Sequence, residues 1–272
     1  MSDVASIPPL AGRPGSRRHR AGALLACGLL ACGCTRLGPG ERESLQQASR
    51  EYSLGRVDAA MARLDPLIRD FSRAEEIAEA HYIRGLCHAR QGREDAARAD
   101  FQKALNSRRR DVVGLARASL GTMAFQRGDY AAAAEHFEKG LPDVPDAPPK
   151  DQLLFSAGLA MQRAGRWKDA PAQFAAVLHR FPDRPIAERA RRMAGWTHPY
   201  FAIQLAAYGT ADSAEQAVRA YRSRGLSAVQ ENHPRGGRAM WIVMTGRYAT
   251  YADAVAALPA VRRIQPDALI IP

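Results

Sequence analysis

The sequence predicts a helical solenoid over residues 41–197 followed by a small βαββαβ domain over residues 198–272. Two observations predict this. The first is a Gly…Ala…Phe pattern that recurs in phase every 36 to 37 residues: Gly92, Ala97 and Phe101, then Gly128, Ala133 and Phe137, then Gly165, Ala170 and Phe174. A degenerate first copy holds Gly55, Ala60 and Leu64. Self-similarity at this period marks stacked helix pairs, none of which can bury its apolar face alone. The second is where the pattern stops. The last 75 residues share none of it and instead alternate apolar and polar side chains between turn signals. Solenoids offer surface, so the fold class points to binding rather than to chemistry.

The first element is a leader. Arg13, Arg17, Arg18 and Arg20 form a basic region, residues 21–31 are apolar and uncharged, and Cys32-Gly33-Cys34 follows. An apolar run of about 11 residues is too short to span a bilayer permanently and has the length of a signal-peptide core. Leu29-Leu30-Ala31-Cys32, and less typically Ala31-Cys32-Gly33-Cys34, resembles the lipobox of bacterial lipoproteins. The resemblance implies a signal over residues 1–31, a linker over 32–40, and diacylglyceryl attachment to Cys32 or Cys34. The leucine three residues upstream favours Cys32, and an ordinary secretory signal is the alternative. It also implies a membrane-anchored protein on the periplasmic face of the envelope, with the outer membrane preferred to the inner. Cys87 is then the one cysteine left for the folded part, and a lone thiol makes no internal disulfide.

Each solenoid repeat reads as two helices joined at its turn glycine. Residues 80–91 are apolar-periodic, Gly92-Arg93 breaks the pattern, and residues 94–107 resume it. Gly85, Gly121 and Gly158 sit mid-helix at one phase, seven residues before the turn glycine. A mid-helix glycine costs about 1 kcal/mol against alanine, so a repeated one predicts close helix packing. The four prolines between 142 and 149 read as an inter-repeat loop, because the repeat phase runs through them. Residues 186–196, arginine-rich on one side, read as a capping helix.

These spacings resemble the tetratricopeptide repeat. Gly85, Gly92, Ala97, Phe101 and Ala104 fall at the family's positions, as do Leu120, Gly121, Gly128, Ala133, Phe137 and Pro145, and Gly158, Gly165, Ala170, Phe174 and Pro182. About four repeats are covered. The family implies a concave groove lined by the first helix of each repeat, which here carries Tyr82, Arg90, Phe125, Gln126, Phe155 and Arg163. His81 and His88 stand where the family usually has aromatics. Seven residues apart, they are spaced too widely for two metal ligands on adjacent turns, and they read as satisfied packing histidines.

In the C-terminal domain, residues 200–208 alternate as a strand, and residues 212–224 form an amphipathic helix closed by Gly225. Residues 226–231 are a second strand, 233–237 a hairpin loop, and 240–248 a third strand. Thr250 caps a helix to about Leu258, and residues 268–271 make a short last strand. Two helices on one face leave the other face of the sheet open. The RNA-recognition motif shares this order but needs stacking aromatics and basic residues on its middle strands, which the third strand here lacks. The SPOR (sporulation-related repeat) domain is the specific resemblance. It rests on Ile203-Gln204-Leu205 and Tyr208, on Ala214-Glu215, and on the run from Trp241 through Gly246 and Tyr248 to Ala254. The family implies binding of peptidoglycan, particularly glycan strands stripped of stem peptides, through the open face. By alternation Tyr200, Gln204, Met240, Ile242 and Met244 lie on that face, and Trp241 on the helix side as core. Ile242 and Met244 depart from the polar or basic residues many members carry there.

The chain has a net charge of +11, but its arginines are scattered, and outside the N-terminus only Arg108-Arg109-Arg110 forms a run. That run follows a second helix and reads as a solvated loop, so no nucleic-acid partner is expected. The sequence has no His-Glu-x-x-His, no Gly-x-Ser-x-Gly, and no segment left for a catalytic domain. No enzyme activity, metal or cofactor is expected. The function expected is an envelope adaptor holding peptidoglycan with one domain and an unidentified protein with the other, in cell division or envelope maintenance. The alternative is a lipid-anchored scaffold for outer-membrane assembly or trafficking, with the last domain in protein contacts.

Overall fold

The computed structural model describes residues 36–233 and 238–272; the expected leader and both candidate lipid-attachment cysteines lie outside them. By contact the chain divides into two compact units. One comprises residues up to 123 with 136–150, and the other 124–135 with 151–272.

In the first unit α1 (Pro39–Ser53) pairs with α2 (Val57–Asp70), and α3 (Ile77–Arg90) with α4 (Glu94–Ala104). The helices α5 (Arg110–Gln126) and α6 (Tyr130–Gly140) continue the alternation, followed by α7 (Lys150–Arg163), α8 (Ala170–Arg180) and α9 (Pro185–Ala194). The phase-locked residues explain the pairing. At Gly92 the backbone turns through φ 70° and at Gly165 through 77°, conformations in which a side chain is strained. The alanines at the repeat phase, Ala97, Ala133 and Ala170, have no exposed surface, and Phe101, Phe137 and Phe174 are buried. A Cβ on Gly85 would stand 2.7 Å from the Phe101 ring, and one on Gly158 2.5 Å from the Phe174 ring. So at Gly85 and Gly158 a second-helix phenylalanine ring packs directly against a first-helix backbone. Among the described residues no helix is long and apolar enough to cross a membrane.

The second unit ends in a four-stranded antiparallel sheet of order β2-β3-β1-β4, built from β1 (Phe201–Tyr208), β2 (Ala228–Asn232), β3 (Trp241–Tyr248) and β4 (Leu269–Ile271). With α10 (Ala211–Ser223) and α11 (Tyr251–Arg262) it has the expected βαββαβ order. Thr250 Oγ1 accepts a hydrogen bond from the Asp253 N–H at 3.1 Å, the cap the sequence predicts. The helix it starts does not stop at Leu258; it runs through exposed Pro259, and the added turn buries Val261 in the core. That core lies between sheet and helices and holds Ile203, Leu205, Val218, Val243 and Val261, with Trp241 half-buried against it. Of the predicted hairpin loop only His233 is among the described residues.

Candidate functional site

On the solenoid the predicted groove residues separate into two sets. Tyr82 and Phe155 do not line a groove. Tyr82 is fully enclosed and packs on Phe101 at 6.0 Å between centroids, and Phe155 is buried on Phe174 at 5.6 Å. At their phase the side chain points at the partner helix, where a phenylalanine is waiting. Arg90 and Gln126 are exposed, and Phe125 and Arg163 half-buried. The arginines sit in one arrangement. Arg90 stacks over the Tyr52 ring at 4.4 Å and donates to the Tyr52 carbonyl at 2.9 Å. Arg163, two repeats on, stacks over the Phe125 ring at 4.9 Å. In both cases the aromatic partner is 38 residues earlier in the chain. A guanidinium over a ring keeps its charge accessible while its stem is covered, so these steps present cations at fixed positions.

Behind α3 the histidines meet an acid that the sequence analysis passed over. Asp100 of α4, 2% exposed, accepts from Arg84 Nε on Oδ2 at 2.7 Å and from Arg84 Nη2 on Oδ1 at 2.9 Å, and His81 Nδ1 lies 2.8 Å from the same Oδ1. Arg84 also reaches Asp65 of α2 at 3.1 Å. Burial pushes the Asp100 carboxyl up, but the Arg84 and His81 hydrogen bonds together outweigh it and hold it down at about 2. His81 is thus satisfied. His88 is less so: its Nε2 stands 3.6 Å from Asp100, its Nδ1 has no partner, and burial holds its pKa below the usual histidine value. Cys87 beside it is enclosed, and burial pushes its thiol up to about 11, so this is an inert core cysteine. Among the described residues no group of His, Cys, Asp and Glu is arranged to hold a metal ion.

On the sheet, alternation places the expected residues on one face, but that face is not open. Ile242 is 4% exposed and Met244 1%; they form a second apolar cluster with Ala202 and Trp196. Trp167, Tyr200 and Ile271 pack around it. The cover is the connector between α9 and β1. Trp196 was expected to end the capping helix; instead α9 stops at Ala194 and the ring lies on the sheet. Its Nε1 donates to the Tyr200 carbonyl at 3.0 Å, and its ring stacks on His233 at 5.6 Å and 13°. His198 Nε2 lies 2.8 Å from Glu231 Oε2 on β2 and stacks on Tyr200 at 4.9 Å. The physical reason for the correction is composition: Ile242 and Met244 make a patch that water disfavours, and an indole five residues before β1 reaches it. Met240, Tyr200 and Gln204 stay half-buried. Gln204 lines what remains accessible, a pocket of about 430 Å³ beside Trp196, with Arg191 and Arg192 of α9 on one side and Leu269 and Ile271 of β4 on the other.

Residues 45–112 and 107–148 match the tetratricopeptide repeat model, and residues 197–272 match that of the SPOR domain. The chain carries tetratricopeptide repeats and a SPOR domain. The SPOR match takes in all four strands and both helices, and the covered face just described is the face of the SPOR sheet opposite its helices. Among solved structures, that of YrrB, described as a TPR protein with an unusual peptide-binding site, is 21% identical, covers 56% of this chain and 73% of its own, and has a TM-score of 0.45. MamA AMB-1 is 17% identical, covers 57% of this chain and 80% of its own, and has the same TM-score of 0.45. No curated protein sequence matches the chain. Both domains are binding modules, typically non-catalytic.

What the sequence analysis missed lies mainly between elements. Trp167 in the α7–α8 turn, Trp196 and His198 in the connector, and His233 just past β2 belong to no repeat and no strand alternation. One signal was available. Three tryptophans in the chain include two, Trp167 and Trp196, flanking the last helices of the solenoid, at positions the repeat pattern does not require.

Proposed function

We propose that this protein is a non-catalytic cell-envelope adaptor, holding peptidoglycan glycan strands with its SPOR domain and a protein partner with its tetratricopeptide groove, in cell division or envelope maintenance. The observation that carries the reading is the SPOR match over the complete βαββαβ unit, with Gln204 at the wall of a polar-rimmed pocket on the sheet. A sugar suits that pocket: apolar floor for a ring face, an amide and two guanidiniums for hydroxyls and acid groups. In the groove, Arg90 and Arg163 favour a partner segment with acidic side chains. Lipid on Cys32 or Cys34 would hold both activities at the periplasmic face of a membrane, the outer one preferred.

Co-sedimentation of residues 36–272 with purified sacculi tests the peptidoglycan reading. Gln204→Ala is expected to lower retention about fivefold, the equivalent of one lost hydrogen bond, without shifting the melting temperature. Absence of retention from the wild-type chain and from Trp167→Ala, which removes one ring covering the sheet, overturns the reading. The anchor has its own test. Replacing Cys32 and Cys34 together by serine is expected to move the protein from the membrane fraction to the soluble periplasm; persistent membrane fractionation of the double variant refutes it.

One observation favours a second reading, a lipid-anchored scaffold whose last domain makes protein contacts. The centre of the SPOR sheet, Ile242 and Met244, is already buried against side chains of the same chain, as in a protein interface. Retention of neither variant on sacculi would select it.

A further inference from the structure

From the cover of the SPOR sheet a file of ring contacts leads to one arginine. Arg163, at the end of α7, stands over the Tyr251 ring of α11 at 4.1 Å, closer than over Phe125 at 4.9 Å or Tyr130 at 5.1 Å. Tyr130 meets Tyr251 edge-on at 5.7 Å, and Tyr251 meets Phe201 at 5.4 Å. Phe201 in turn packs on Trp167 at 4.6 Å, and Trp167 packs on the cluster of Trp196, Ile242 and Met244. A continuous file of rings therefore runs from a groove arginine to the connector over the sheet.

The connector itself is built differently from the core on the other face. The buried cluster it forms holds, among the described residues, its own Trp196 with Ala202, Ile242 and Met244 of the sheet, and a pocket of about 430 Å³ remains at its flank. Its polar ties are accessible to water: the side chain of His198 is 34% exposed, Glu231 26% and His233 21%. Few buried apolar contacts and solvent-reachable ties define a segment that opens before the rest of the domain does.

We propose that residues 195–200 are a self-masking strap over the glycan-binding face of the SPOR sheet, kept closed by the seating of Arg163 among Phe125, Tyr130 and Tyr251, so that a partner engaging Arg163 in the groove exposes the sheet. This rests on the peptidoglycan reading and adds its regulation. Arg163 is shared between two uses. An acidic side chain that pairs with it draws the guanidinium off Tyr251, and the two states then differ in affinity for glycan, which is what coupling between sites requires.

The test uses residues 36–272 with Trp167→Phe and Trp241→Phe, leaving Trp196 as the only indole, and compares this chain with the same chain carrying Arg163→Ala or Tyr251→Ala. Circular dichroism and thermal melting establish that each is folded. Acrylamide quenching of Trp196 reads the strap without any glycan, and it is expected to rise at least about twofold in both variants as the segment opens. Retention on amidase-treated sacculi is expected to rise about tenfold, the gain when a site open one time in ten becomes fully open. Unchanged quenching in both folded variants overturns the strap, whatever the sacculi show. Raised quenching with unchanged, measurable retention overturns the masking. Raised quenching with no retention from any chain upholds the gate and sinks the peptidoglycan reading instead.

Discussion

Asp100→Asn is expected to destabilise the solenoid by about 3–5 kcal/mol at pH 7, the range for removing one member of a buried ion pair. Asp100 is the acceptor for two Arg84 nitrogens and for His81, and Arg84 carries the link on to Asp65. Asparagine keeps one oxygen but turns an N–H₂ group toward the guanidinium, leaving a charge on α3 with only the exposed Asp65 to answer it. The loss is pH-dependent with a definite sign. The folded carboxyl titrates at about 2, below its unfolded value near 3.9. Its contribution is therefore fully present above the unfolded pKa and disappears as pH falls through the folded one. Urea melts of wild type and variant should differ most at neutral pH and converge between pH 4 and about 2. A constant difference across that interval would mean that packing, not charge, accounts for the loss.

Asp100 also shows where the sequence was legible and where it was not. The repeat phase announced Gly85, Ala97 and Phe101 because each meets the same demand in every repeat, a close approach or a filled space, and the same demand selects the same residue type. Asp100 meets a demand found in one repeat only. It answers Arg84, and at the corresponding places in the next two repeats stand His136 and Gln173. A single-copy ion pair leaves no period. The same logic divides the SPOR domain. Alternation assigned Ile203, Leu205 and Val243 to one face and Ala202, Ile242 and Met244 to the other, and both assignments hold in the structure. That Ile242 and Met244 are apolar was visible as a departure from the family. What covers them was not, since the cover comes from Trp196 and Trp167, whose positions depend on how α9 ends and how the α7–α8 turn runs. Periodicity reports which face a side chain takes, not whether another segment lies across it.

Met244→Glu puts that distinction to measurement. On an open sheet the substitution would be tolerated by the fold. Beneath Trp196, with 1% exposure, it places a carboxyl in the apolar cluster of Ala202, Ile242 and Trp196, and the group must stay protonated or force the cover away. Staying protonated at pH 7 against an unfolded pKa near 4.3 costs about 4 kcal/mol. Here the folded pKa is raised, so the sign is opposite to that of Asp100: the variant's stability is best below about pH 4.3 and falls as pH rises. Val229→Glu is the control. Val229 lies opposite Met244 in the β2–β3 ladder, on the same face, and is 37% exposed, so it should shift stability by no more than about 0.5 kcal/mol at either pH. Thermal melts of residues 36–272 at pH 4 and pH 7 are expected to show a large, pH-dependent loss for Met244→Glu and almost none for Val229→Glu. Equal, small losses for the two would mean that residues 195–200 leave the centre of the sheet wet, and that the proposed masking is absent.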